Sequence, residues 1–373
     1  MSVMLIDALS ARRGGGQTYL RNLLTRLPAG EPSQIYVLAQ PELEAELTRD
    51  RVRVVQPNWP MHNGLLLSIW KKLFLRSYAA KLGASLVFFP GGIVGVAIPA
   101  GARSATMFRN VIPFDMEQRR RYGLSYQRLR NWLLERVMLK GMLAADRVIF
   151  LSDYGRSLIE KAAGRPIAGA VTIPHGVSDA FRTGGARPAW LPSTPYVLYV
   201  STFEPYKAQV EVVQAFAHVL KEWKEPLSLV LLGHQHTAYG ERVQSEIARL
   251  GLGDRVLLPG NRPYAELPAA NHHALVTVFA SEAENCPNVL LEAMASGKAI
   301  LCSCRPPMPE FGGDAVWYFD PSNAEELATQ LVRLLREPDS RSALASRAAE
   351  RSRRYDWDET ARRTWAVLLD GIK

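Results

Sequence analysis

Two carboxylates with seven residues between them, Glu284 and Glu292, lie in the run Ser281-Glu282-Ala283-Glu284-Asn285-Cys286-Pro287-Asn288-Val289-Leu290-Leu291-Glu292-Ala293-Met294-Ala295-Ser296-Gly297, just past a short apolar segment. Val289, Leu290, Ala293 and Met294 fall at helical spacing behind Pro287, which puts Glu284 in the loop before a helix and Glu292 in its second turn. Such a loop turns backbone N–H groups and the positive helix end toward an anion. Each carboxylate can accept hydrogen bonds from sugar hydroxyls. Lys207, just beyond the apolar run 196–200, brings a cation suited to the negative charge that develops when a sugar–diphosphate bond breaks. Gly14-Gly15-Gly16 follows the first apolar run, with a helix expected from 17 to 24. Glycines there permit positive φ and close approach of backbone to a ligand.

The elements that must hold these residues read as alternating strands and amphipathic segments. Buried strands are expected at 3–6, 35–39, 86–89, 148–151 and 171–173, and again at 196–200, 229–232, 256–258, 275–279, 299–302 and 316–319. That alternation implies α/β architecture, with two doubly wound parallel sheets covered by helices on both faces. Between the two series the Gly- and Pro-rich stretch 181–195 reads as a linker. At 373 residues two domains are expected, and the boundaries are drawn at 1–182, 183–195 for the linker, 196–354, and 355–373 for a carboxy-terminal helix. In doubly wound sheets, ligands bind beyond the carboxyl ends of the strands.

Composition and charge narrow the classes. No run approaches the roughly 18 apolar residues of a membrane span. Ser10-Ala11-Arg12-Arg13-Gly14 breaks the first apolar run too early for a secretory signal. Three cysteines, Cys286, Cys302 and Cys304, are too few for a disulfide framework and lack zinc spacing, so a cytoplasmic, reducing setting is expected. Cys302 and Cys304 read as buried small apolar residues on a strand.

Residues 1–185 carry a net charge of +12 and residues 186–373 a net of −3. Arg119-Arg120-Arg121, Arg128, Arg130, Arg136 and Lys140 supply much of the excess, on a helix whose inner face would hold Leu129, Trp132, Leu133 and Val137. This face is either simply solvated or drawn to an anionic membrane surface or a phosphate-bearing acceptor. No recognised motif accompanies the charge to indicate nucleic acid. The segment 64–76 also has a broad apolar face, with Leu66, Ile69, Trp70, Leu73 and Phe74 at helical spacing. A core helix is the preferred reading, with membrane contact the alternative.

Ile173-Pro174-His175-Gly176-Val177, then Tyr199-Val200-Ser201-Thr202-Phe203-Glu204-Pro205-Tyr206-Lys207, then the two-glutamate motif, resemble glycosyltransferase family 4 in order and spacing, as do the three early glycines. The resemblance covers most of the chain. It implies the GT-B fold, in which two Rossmann-like domains face each other across a cleft and a carboxy-terminal helix crosses back to the first. It also implies transfer of a sugar from a nucleotide donor with retention at the anomeric carbon, without metal or other cofactor.

By this resemblance Lys207 and Glu284 are the catalytic candidates. Gly15, Gly16, Thr202, Lys207, Glu284, Asn288, Val289 and Glu292 form the donor-binding set, with Glu292 on the ribose and Glu284 on the transferred sugar. The donor would be a uridine- or guanosine-diphosphate sugar.

Two departures stand out. The arginine that accompanies the family's lysine is replaced by Tyr206 or Thr202, with Arg262 the nearest substitute. The acceptor-domain His-Asp pair falls on Arg109 and Asn110, which become the acceptor or phosphate candidates. Arg109 could hold an acceptor phosphate, hold the donor's diphosphate, or pair with a core acid.

Asp356-Trp357-Asp358 has the letters of a metal motif but reads as a helix cap, with Glu359 following and then an amphipathic pattern. His234, His236, His272 and His273 lack a completing carboxylate or cysteine, although His234 could line the nucleotide pocket. The expected function is therefore a retaining, metal-independent sugar transferase acting on a glycan or lipid-linked acceptor in cell-surface polysaccharide or lipopolysaccharide synthesis. The competing readings are a sugar-nucleotide epimerase and a nucleotide-sugar-binding protein without turnover.

Overall fold

The computed structural model describes residues 2–11, 14–57, 59, 64–92, 97–121, 123 and 125–370, apart from the side chains of 64 and 65. Arg12 and Arg13, which help interrupt the first apolar run, lie outside them. The chain divides into two compact units, Met1–His175 with Trp357–Lys373, and Gly176–Asp356.

The first unit holds seven strands: β1 (Val3–Asp7), β2 (Gln34–Leu38), β3 (Val52–Val55), β4 (Leu86–Phe89), β5 (Arg103–Phe108), β6 (Arg147–Phe150) and β7 (Ala170–Thr172). Their order is β3-β2-β1-β4-β5-β6-β7, and every pairing is parallel. The strand order reverses between β1 and β4, the place where a doubly wound sheet opens a crevice. Strands β3 and β5 are absent from the expected set. Residues 52–55 are interrupted by Arg53, and 103–108 begin Arg-Ser-Ala-Thr without an aliphatic run. Sheet neighbours, rather than local pattern, make them strands.

The helix Trp357–Leu369 belongs to this unit. Its Trp365 indole donates to the Leu23 carbonyl at 3.2 Å, and the Thr360 hydroxyl donates to the Pro174 carbonyl at 2.9 Å. Arg363 donates to the Thr172 carbonyl at 2.7 Å, and Asp358 is ion-paired with Arg26.

The second unit holds β8 (Tyr196–Val200), β9 (Ser228–Leu232), β10 (Val256–Gly260), β11 (Val276–Phe279), β12 (Ala299–Ser303) and β13 (Trp317–Phe319), in the order β10-β9-β8-β11-β12-β13. All pairings are again parallel. Along β8 the side chains alternate between two cores. Val197 and Tyr199 enter the cluster with Phe216, Leu231 and Met294, whereas Tyr196, Leu198 and Val200 pack with Leu191, Val230 and Ala270. Burial on both faces explains why the strand reads as a continuous apolar run rather than an alternating one.

Four expectations are corrected by packing. The stretch 181–195 is no free linker: the units divide at His175 and Gly176, and the Gly/Pro stretch lies within the second unit. Phe181 is buried with Val177 and Ala295, Leu191 is buried beside Tyr196, and the Trp190 indole donates to Glu266 at 2.6 Å. Gly and Pro set turns there, but the apolar residues between them find partners.

In the helix Tyr126–Ala144 the supposed inner face is outside. Leu129, Trp132, Leu133 and Val137 are exposed, while Asn131, Met138, Gly141 and Met142 are buried. In Gly64–Lys81, Leu67, Trp70, Leu75 and Ala79 face the core, whereas Ile69, Leu73 and Phe74 are exposed. Both helices are apolar on two sides, so spacing alone cannot choose the buried one. Finally, Cys302 is buried within β12, but Cys304 lies past its end and is exposed. The first helix also starts earlier than expected, spanning Gly15–Leu24, so Gly15 and Gly16 form its first turn.

Candidate active site

In the second unit the strand order reverses between β8 and β11. The segments leaving these two neighbouring strands carry the residues expected to do chemistry. Thr202 and Lys207 follow β8; Glu284, Asn288, Val289 and Glu292 follow β11. The placement follows from topology, because the carboxyl ends of adjacent parallel strands open side by side at such a reversal.

Lys207 ends a single turn, Pro205–Lys207, and Ala208 beyond it adopts φ +52°. The turn is held on several sides. The Tyr199 hydroxyl donates to the Lys207 carbonyl at 2.7 Å, and the Glu282 N–H donates to the Tyr206 carbonyl at 2.8 Å, tying the two loops together. Gln209 donates to the Ser201 hydroxyl at 2.7 Å and to the Thr202 carbonyl at 2.9 Å. The Phe203 N–H donates to the His234 carbonyl at 3.0 Å, joining the β9 segment to the same floor.

On this frame the Lys207 ammonium donates to Glu284, the two side chains being 12% and 18% exposed. A pair this shielded is costly to break, because removing one partner strands the other charge at about 3–5 kcal/mol. The pair also leaves a cation and a carboxylate side by side at one mouth, able to meet a phosphate and a hydroxyl together.

Glu292 sits in the second turn of the helix Asn288–Ala295, as the spacing predicts. Burial pushes its carboxyl up to about 7, against a hydrogen bond from Tyr264 that favours the charged form. The Tyr264 hydroxyl donates to Glu292 Oε1 at 2.7 Å. Partial burial of its hydroxyl, together with the charge of Glu292, raises the Tyr264 phenol above its ordinary value, so it stays a donor.

Sequence reasoning missed Tyr264. It weighed Arg262 in the same segment after β10, but the Arg262 guanidinium lies over the Trp190 ring at 5.2 Å. The available signal was an aromatic residue with a hydroxyl just past the carboxyl end of a strand. Glu204, beside this site, also has its carboxyl raised by burial, with Lys207 and His234 opposing.

In the first unit Gly14, at φ +65°, turns the chain from β1 into the helix Gly15–Leu24. A Cβ on Gly16 would lie 3.2 Å from Arg109 Nη1 and 3.3 Å from the Ala11 Cβ, so the missing side chain is what lets Arg109 approach the helix start. Arg109 follows β5, and its charge favours ionisation of the nearby buried Tyr19 phenol against the dominant effect of burial. Asn110 is turned locally, its Oδ1 accepting from the Ile112 N–H at 3.1 Å. Buried His175 stacks on Tyr19 at 5.4 Å and lies 5.4 Å from Trp357. The structure thus brings Gly16 and Arg109 together, and it brings Lys207 together with Glu284.

Among the described residues no group of three or more His, Cys, Asp and Glu is placed to hold a metal ion. His234 and His236 are exposed, with ring centroids 5.9 Å apart.

Two family profiles match the sequence: Glycosyltransferase Family 4 over residues 13–181 and Glycosyl transferases group 1 over residues 187–351. The O-antigen chain mannosyltransferase B of Escherichia coli is 23% identical over 248 residues, which cover 62% of this chain and 62% of that protein. The match thus spans a little over three-fifths of that relative's length. Among solved structures, sucrose-phosphate synthase from Thermosynechococcus elongatus superposes with a TM-score of 0.78 at 19% identity, covering 99% of each chain. Anabaena HepE in complex with UDP-glucose superposes with a TM-score of 0.74 at 18% identity, covering 99% of this chain and 100% of that one. These likenesses show the fold, two parallel α/β units of the GT-B kind.

Proposed function

This chain belongs to the group 1 glycosyltransferases of family 4, and we propose that it moves a sugar from a nucleoside-diphosphate donor to a glycan or lipid-linked acceptor. The observation that carries this reading is the set at the β8 and β11 ends: a shielded Lys207–Glu284 pair with half-buried Glu292 on the adjoining helix. Anabaena HepE, of the same fold, binds UDP-glucose, which favours a nucleotide sugar here. The E. coli relative is an O-antigen chain mannosyltransferase, which favours cell-surface polysaccharide or lipopolysaccharide synthesis here.

In the proposed reaction the bond from the anomeric carbon to the diphosphate oxygen breaks, and the electron pair leaves with the diphosphate. The Lys207 ammonium neutralises that charge as it develops, the kind of stabilisation that is largest in the transition state. Glu284 releases the ammonium toward the phosphate and accepts a hydroxyl of the transferred sugar. Glu292 accepts from the ribose hydroxyls. The acceptor hydroxyl attacks the face the diphosphate leaves, its proton passing to the departing phosphate oxygen, so the anomeric configuration is retained. Within the second unit, Thr202, Asn288 and the Val289 backbone N–H extend the donor set. Arg109 and Asn110 serve an acceptor group or a phosphate. No step requires a metal ion.

The test is diphosphate release from a panel of uridine- and guanosine-diphosphate sugars, with and without chelator, by the protein and its Glu284→Ala variant. Chelator-insensitive release from one donor, lost in the variant and accelerated by lipid-linked glycan extract, is expected. Magnetic resonance of the product then reads the anomeric configuration. Inversion would remove the front-face step, and release without any acceptor product would favour an epimerase.

A further inference from the structure

We infer that the outer face of the helix Tyr126–Ala144 is a docking surface for an anionic lipid bilayer. Positions 129, 132, 133, 136, 137 and 140 recur at helical spacing and therefore share one side. That side carries Leu129, Trp132, Leu133 and Val137, which are 57%, 38%, 50% and 40% exposed. The opposite side is already used, with Asn131, Met138, Gly141 and Met142 buried. A monomer rarely leaves so continuous an apolar stripe in water without something to cover it.

Charge says what covers it. Between Met116 and Ala144 seven Lys and Arg stand against two Glu. Both acids are engaged: Glu135 by Arg119, and Glu117 by Arg121 at 3.9 Å. Arg120, Arg128, Arg130, Arg136 and Lys140 pair with no acid among the described residues, and the Arg136 guanidinium lies 3.6 Å over the Trp132 ring. Apolar side chains bordered by cations, with an indole among them, match the boundary between lipid tails and anionic headgroups.

A second copy of the chain fits poorly, because a two-fold pairing would set the same cations against each other. The helix Gly64–Lys81 repeats the pattern with Ile69 and Leu73 exposed on the side that carries Lys72 and Arg76. No helix among the described residues is long and apolar enough to cross a membrane, so contact is along the surface.

The inference needs only the first unit. Its readout is binding rather than turnover, so its failure and that of the transferase reading are distinguishable.

The experiment is flotation of the full chain with phosphatidylcholine vesicles, with and without 30% phosphatidylglycerol. It compares the native protein with Trp132→Ser/Leu133→Ser, with Arg128→Gln/Arg130→Gln/Lys140→Gln, and with a surface-charge control in the second unit, Arg347→Gln. Native protein should float with anionic vesicles and much less with neutral ones. The triple charge variant should bind at least tenfold more weakly, at about fivefold per cation. The apolar pair should lose roughly tenfold or more, and the control should match the native protein. Far-ultraviolet circular dichroism and donor turnover of the variants show that they remain folded.

Native protein that stays unbound at low salt would overturn the inference. So would charge-dependent binding indifferent to Trp132 and Leu133. A native dimer in sedimentation velocity that Leu133→Ser dissolves, with no vesicle binding, would assign the face to a second copy instead.

Discussion

The two units share one architecture, a parallel sheet covered on both faces, yet they present opposite surfaces. In the second unit Tyr264 is the only large apolar or aromatic side chain left exposed among the described residues, and even its hydroxyl is bonded to Glu292. In the first unit ten such side chains are exposed, from Ile69 to Leu143. The charges divide in the same way. The second unit draws Lys207 and Glu284 into a shielded pair and half-buries Glu292, whereas the first displays cations on an outer helix. The contrast teaches that one scaffold can serve two recognitions. Few, shielded charges select a small polar ligand, because electrostatic interactions strengthen away from water. Many exposed charges set among apolar groups suit an extended surface.

The largest expected effect tests the shielded pair. Lys207→Ala should lower the rate of diphosphate release by about 10²–10³, since it removes a donor aimed at developing charge. If the pair behaves as a unit, Lys207→Ala/Glu284→Ala should melt higher than either single variant, because neither charge is then stranded. Equal kcat in Lys207→Ala would erase the contrast between the units.

Next comes acidity. A Glu292 carboxyl pushed up to about 7 must lose its proton to accept from ribose hydroxyls. Donor KM should therefore rise about tenfold per pH unit as pH falls below 7, with kcat changing less. A flat donor KM between pH 5 and 8 would remove Glu292 from the donor site.

The same shift carries a cost in stability with the opposite pH dependence. The folded-state value lies above the ordinary carboxyl value of 4.5, so the favourable term is full below 4.5 and is lost as pH rises through 7. Glu292→Gln should thus gain up to about 3 kcal/mol over the native protein at pH 8 and little at pH 4.5, which paired thermal melts will read.

Tyr264→Phe deletes one hydrogen bond to that carboxylate. It should raise donor KM about two- to tenfold and move the acidic limb to higher pH, because the bond favours the ionised form. The smallest effect is expected in the first unit. The Gly16→Ala methyl would lie 3.2 Å from the Arg109 guanidinium and 3.3–3.4 Å from the Ala11 Cβ and Cα, so melting should fall modestly while acceptor KM rises a few-fold.

Much of the fold was legible because the elements are local. Strand β8 at Tyr196–Val200 and β4 at Leu86–Phe89 match the expected ranges, since unbroken apolar runs of that length suit strands buried on both faces. Strands β3 and β5 were not legible, because Arg53 and the Arg-Ser-Ala-Thr start of β5 dilute the signal that pairing then overrides. Within the site, Lys207, Glu284 and Glu292 could be picked out because each sits at a fixed short distance from a strand or helix start. Tyr264 could not be tied to Glu292, from which it is separated by 28 positions.

The sequence by itself determined the alternation of elements, the ordered motifs that identify the family, and the positive charge of the first half. Those properties depend on composition and on spacings of a few residues. Only the tertiary structure decided which partner each of these residues meets. It set the two carboxyl-end loops side by side through the β8–β11 reversal, drew the 181–195 stretch onto the second unit, and turned Leu129, Trp132, Leu133 and Val137 outward. A helix with apolar residues on two sides has two faces of similar hydrophobic gain. Which one is buried depends on the sheet and helices that pack against it, and that information lies outside the helix.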